Sequence, residues 1–152
     1  MTTEPSYPLL TQREETLMRQ VHPDQVQANG VPDSSAFMAK QPHNYLLSTR
    51  REHIGAQQAY EDWIVDHESV GTYGILVADI MDESLTAFDD STDPNMPDGH
   101  ASVDFRGVSD GQARKRARRL RDKAVGRGRL YPADDACIEP EDPPVARADG
   151  AQ

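Results

Sequence analysis

The chain has 152 residues, 36% hydrophobic and 28% charged, with a mean hydropathy of −0.74 and a formal net charge of −10. Such a length holds one domain, and the apolar content is low yet sufficient for a core, which concentrates between about residues 45 and 125. A single cysteine, Cys137, excludes an internal disulfide and suits the cytosol; its acidic, Pro-rich surroundings point to an unreactive tail thiol.

The start, MTTEPSYPLLTQREE, has neither a basic n-region nor an apolar h-region, so no signal peptide is expected. No apolar run approaches the ~18–20 residues of a membrane span. The expectation is a soluble, cytoplasmic protein that meets no membrane.

In chain order, residues 1–8 read as a disordered lead, 9–131 as a single α+β domain and 132–152 as a disordered acidic, Pro-rich tail. Leu9–Val21 has helical spacing in Leu10, Leu17 and Val21, with Thr11 and Glu14 placed as a capping box. His22-Pro23 ends that helix. Residues 24–44 are rich in turn formers, with Asn29-Gly30 suited to a tight turn and Phe37 to anchoring the loop.

Residues 44–49 read as a short strand, after which Thr49 and Glu52 fit a second capping box. His53–His67 is the clearest helix, with Ala56, Ala59, Tyr60, Trp63 and Ile64 on one face. Residues 69–80 are β-branched, aromatic and apolar on both parities, which predicts a central strand; Gly71 and Gly74 mark a bulge or a close backbone approach. Residues 82–100 read as a long acidic loop. Residues 101–106 alternate as a strand with Val103 and Phe105 inward, and a final helix runs from a Ser109 or Asp110 cap to about Val125. The fold class expected is α+β: a mainly antiparallel sheet with packed helices.

Charge is sharply segregated. Residues 111–130 hold nine of the sixteen Lys and Arg and one acid, so they carry +8 while the remainder carries −18. Ala113, Ala117, Leu120 and Ala124 form the stripe that packs on the sheet. Arg114, Lys115, Arg116, Arg118, Arg119, Arg121 and Lys123 cover the rest and form a candidate partner-binding surface. Three destinations fit it: the protein's own acidic loop or tail, an acidic protein, or a nucleic acid. A nucleic-acid partner fits less well, because the helix lacks the aromatics of a single-strand reader.

The histidines show no metal-ligand spacing, and the acidic loop lacks the ligand pattern of an EF-hand, so neither a metal nor a cofactor is expected. The catalytic candidates are Arg19, His22 and Ser48. Arg19, then Ser48-Thr49-Arg50, then an acid near Asp79 or Glu83 follow the order that ADP-ribosyltransferases use to hold NAD. This chain departs from it in placing Arg19 on a predicted helix and in lacking a Glu-x-Glu element.

The runs Arg19-Gln-Val-His22-Pro23, Gly30-Val-Pro-Asp-Ser34-Ser35-Ala36-Phe37 and Leu46-Leu47-Ser48 resemble a set of small uncharacterised bacterial proteins. The resemblance covers about two thirds of the chain. It implies a recurring bacterial cytosolic domain with no established activity, and a cluster of Arg19, His22, Ser35, Phe37 and Ser48. The leading expectation is therefore a non-enzymatic accessory protein that docks an acidic or anionic partner through its basic helix. The alternatives are an enzyme, or a degenerate one, with its site at residues 19–48, and a nucleic-acid-binding module.

Overall fold

A computed structural model describes residues 7–41 and 44–133. The expected disordered lead and acidic tail fall largely on residues 1–6 and 134–152, outside the described residues, as do His43 and Cys137. Tyr7 is described and stacks on Phe88 at 5.7 Å.

Five strands form one antiparallel sheet: β1 (Thr16–Val21), β2 (Leu46–Arg51), β3 (Gly71–Leu76), β4 (Thr86–Asp89) and β5 (His100–Asp104). Their spatial order is β3-β1-β2-β5-β4. Three helices accompany them: α1 (Ala56–Trp63), α2 (Val77–Asp82) and α3 (Asp110–Arg127). The α+β class read from the sequence is the observed one.

Register assigns the two faces of the sheet. Leu17 pairs with Ile75, Leu47 with Val103, and Ala87 with Val103, so these side chains share a face. They form the core with Phe37, Phe105 and the α3 stripe Ala113, Ala117, Leu120 and Ala124, all buried as the spacing predicts. Ser109 caps α3 by accepting the Gln112 N–H at 3.3 Å, and Gly128 ends the helix at φ +89°. The opposite face carries Met18, Gln20, Ser48, Arg50, His100 and Ser102, and α1 lies against its β1–β3 end.

The structure corrects five readings. The first concerns residues 9–21, which form not a helix but a turn followed by β1. Leu17 and Val21 are four apart, so they share a face in either conformation, and β1 is covered on both sides, which erases the alternation that marks a strand. Pairing with β3 from Thr16 to Val21 and with β2 at Leu17 and Met18 fixes the extended form.

Second, Thr49 does not cap a helix. It lies in β2 and donates its hydroxyl to the Ala101 carbonyl at 2.8 Å, and α1 begins after Gly55 at φ +89°. Third, the predicted central strand over 69–80 is an edge strand that ends at Leu76, where α2 begins. Its outer edge is paired at Thr72 by the segment after α3: Thr72 N donates to Tyr131 O and Leu130 N to Thr72 O, both at 2.7 Å. The close approach expected at the glycines is real, since a Cβ on Gly71 would collide with the Arg129 side chain and stand 3.0 Å from the Tyr131 carbonyl. Fourth, the acidic segment 82–100 contains β4, with Ala87 and Phe88 buried. Fifth, the helix expected over 53–67 is confined to Ala56–Trp63, leaving Ile64 and Val65 exposed.

No helix among the described residues is long and apolar enough to cross a membrane.

Candidate functional site

β1 and β2 are neighbours for only part of their length. They pair at Leu17↔Arg51 and Met18↔Arg50, and there the ladder stops. β1 instead stays with β3 up to Val21, and β2 stays with β5 down to Leu46. The sheet therefore splits between β1 and β2, and a cleft of about 680 Å³ opens there. Arg19, His22 and Ser48, the three sequence-predicted candidates, all line it.

The Arg19 guanidinium bridges the split. Its Nε donates to the Ala36 carbonyl at 2.7 Å and its Nη1 to the Ser48 carbonyl at 3.0 Å. Ala36 belongs to a 3-10 turn over Ser34–Phe37, set by Asp33 accepting the Ser35 N–H at 2.8 Å. Desolvation pulls the Arg19 pKa down to about 10, so the group stays cationic at neutral pH. His22 serves its own turn. Its Nδ1 accepts the Asp24 N–H at 3.0 Å and Gln25 Oε1 accepts the His22 N–H at 2.9 Å, which caps the turn at Pro23. Ser35 is held in the Asp33 turn and Phe37 is in the core, so neither of them lines the cleft.

Ser48 has a partner that sequence reading missed. Its Oγ lies 2.6 Å from His100 Nε2, and His100 Nδ1 lies 2.6 Å from Asp90 Oδ1. The second Asp90 oxygen accepts the Ser102 hydroxyl at 2.7 Å. Ser48 is directly opposite Ser102 in the β2–β5 register, and His100 is two residues before Ser102, so the strand period brings all three to one face. Asp90 follows the end of β4, next door to β5. Asp90, His100 and Ser102 are buried, whereas Ser48 is half-buried and open to the cleft.

The protonation pattern follows from this geometry. Burial pushes the Asp90 carboxyl up, but hydrogen bonds from His100 and Ser102 outweigh it and hold the group below the usual carboxylate range. An ionised Asp90 only accepts, so Nδ1 of His100 carries the proton and donates to it. In the neutral imidazole Nε2 is then an acceptor, and the Ser48 O–H donates to it. This is the arrangement of a serine nucleophile, a histidine base and an aspartate that orients the base.

The acids expected to complete an ADP-ribosyltransferase order lie elsewhere. Asp79 is buried against Arg127 at 2.7 Å, and Glu83 accepts from Arg119 at 2.8 Å. Arg19, however, is on a strand beside Ser48, which removes one of the two departures read from the sequence, while the missing Glu-x-Glu element remains. Among the described residues, no group of three or more His, Cys, Asp and Glu side chains is placed to hold a metal ion.

The basic helix divides in two. Arg119, Lys123 and Arg127 face α2, where Lys123 Nζ stands 3.9 Å from Asp79 and 4.0 Å from Asp82. Arg121 pairs with Asp122 at 2.7 Å. Arg114, Lys115 and Arg118 are exposed and Arg116 is half-buried, and none of the four forms an ion pair among the described residues.

No protein-family model, curated protein or solved structure matches this chain.

Proposed function

We propose that the protein is an enzyme that transfers or hydrolyses an acyl group through Ser48. The observation that carries this reading is the connected line Ser48–His100–Asp90, with hydrogen bonds of 2.6 Å at both joints, buried at His100 and Asp90 and half-exposed at the serine, which lines the cleft. A clamp between strands has no need to point its terminal hydroxyl into a cavity of that size.

In the proposed reaction the Ser48 oxygen attacks the carbonyl carbon of an ester as its proton passes to His100 Nε2. Collapse of the tetrahedral species breaks the ester bond, and His100 returns the proton to the departing alkoxide. Water, deprotonated by His100, then attacks the acyl-serine and regenerates Ser48. Asp90 keeps its charge throughout and stabilises the imidazolium.

The test is hydrolysis of a p-nitrophenyl ester series. Ser48→Ala and His100→Asn are each expected to lower kcat about 10³–10⁴-fold with thermal unfolding preserved. Turnover unchanged in both variants would end the proposal.

A second reading, docking of an anionic partner on α3, is favoured by one specific observation. Arg114, Lys115, Arg116 and Arg118 have no internal counter-charge among the described residues, unlike the α2-facing bases.

A further inference from the structure

Strand alternation fixes where the Ser48 amide points. Phe105 N donates to Tyr45 O at 2.9 Å and Arg51 N donates to Gly99 O at 2.7 Å, so the odd residues of β2 turn their peptide groups toward β5. The even residues turn theirs toward β1, as the Arg19 bond to the Ser48 carbonyl illustrates. Since the β1–β2 ladder stops at Met18↔Arg50, the Ser48 N–H faces the split with no ladder partner among the described residues. Such an amide is normally satisfied.

Beside it lies a cation in the same condition. The Nε and Nη1 of Arg19 hold the Ala36 and Ser48 carbonyls, while Nη2 has no hydrogen-bond partner among the described residues, and no carboxylate there is in ion-pair range of the group. The two tethers fix the plane of the guanidinium, so little is lost in ordering it on a ligand. A desolvated guanidinium and an amide that has left the ladder, at one cleft, are matched by an anion whose oxygens accept from both.

We propose that the split between β1 and β2 is an oxyanion-binding site, in which the Arg19 guanidinium and the Ser48 amide hold a carboxylate or phosphate group of the substrate beside the Ser48 hydroxyl. The inference deepens the preceding one, since it takes the same cleft as the substrate site. Binding of the anion needs the backbone of Ser48 and not its hydroxyl, so the two stand or fall separately. The acids lining the adjoining cleft are Asp62, which Arg50 pairs at 3.2 Å, and Asp66, and Asp90 stands behind His100.

The test is a titration of the full-length, ¹⁵N-labelled protein with inorganic phosphate and, separately, acetate, against sodium chloride at matched ionic strength. The Ser48 amide and Arg19 guanidinium resonances should move together and saturate, in wild type and in Ser48→Ala alike. Phosphate alone, acetate alone or both identifies the class of oxyanion. Arg19→Gln should weaken binding at least about tenfold, and Arg19→Lys, which keeps the charge and loses the fork, should fall between.

If Arg19→Gln does not fold, the wild-type titration and the lysine variant still decide. Absence of a saturable shift of both groups up to about 50 mM, far above a millimolar Kd, would overturn the site, as would an equal response to chloride. Saturation in Ser48→Ala alongside a wild type inert toward esters would keep the anion site and end the nucleophile reading.

Discussion

Asp90 is the residue on which the site's protonation pattern depends. Its carboxylate holds His100 Nδ1 at 2.6 Å and the Ser102 hydroxyl at 2.7 Å in a buried setting. Its folded pKa lies below the unfolded value, so its stabilisation is complete above about pH 4 and is lost as pH falls through the folded pKa. Asp90→Asn should therefore destabilise the protein by about 1–3 kcal/mol at pH 7, and the gap from wild type should narrow as the pH is taken below the ordinary carboxylate value of about 4. Urea unfolding midpoints at both pH values measure this, and a gap independent of pH would contradict an ionised Asp90. The sequence offered one usable signal for this group: His100-Ala-Ser102 places two polar side chains on one face of a strand otherwise read from Val103 and Phe105. Asp90 gave none, because it sits in an acidic run in which any of several carboxylates had the same local context.

At the level of elements, α3, β2 and β5 declared themselves, whereas β1, β4 and α2 did not. The α3 stripe and its Ser109 cap are local features of period and chemistry, and both are where the sequence placed them. β1 did not declare itself, because a strand paired on both edges and covered on both faces loses its alternation to tertiary context. β4 was hidden in an acidic stretch, where its four residues are too few to show a period.

The charges of α3 were legible, but their division between α2 and the exterior was not, since α2 itself was read as strand. That division is testable. Arg127→Leu leaves the buried Asp79 with only the Leu76 N–H and the more distant Lys123, and should cost about 2–4 kcal/mol in chemical denaturation. Joint replacement of Arg114, Lys115, Arg116 and Arg118 by Gln should leave stability within about 0.5 kcal/mol and abolish any salt-sensitive retention on heparin. Retention equal to wild type would remove the docking reading of this face.

For the whole molecule, the α+β architecture was legible because three of its elements, β2, β5 and α3, were read near their true positions, and together they span the sheet's middle and its covering helix. The site was only half legible. Arg19, His22 and Ser48 were singled out and do share a cleft, but what makes it a site is the split between β1 and β2, and a split is a property of the register of strands far apart in the chain. The same dependence means that the reactivity proposed for Ser48 would belong to the folded sheet and not to a short peptide motif.

The most direct measurement is therefore covalent capture of Ser48 with a fluorophosphonate, read by intact mass and by mapping of the modified peptide. One adduct is expected, on Ser48, in the native protein. It should be absent from Ser48→Ala and from protein unfolded in urea, and formed at least about a hundredfold more slowly in His100→Asn. A native protein that stays unmodified, or one that labels at the same rate without His100, would contradict the assignment of Ser48 as an activated nucleophile.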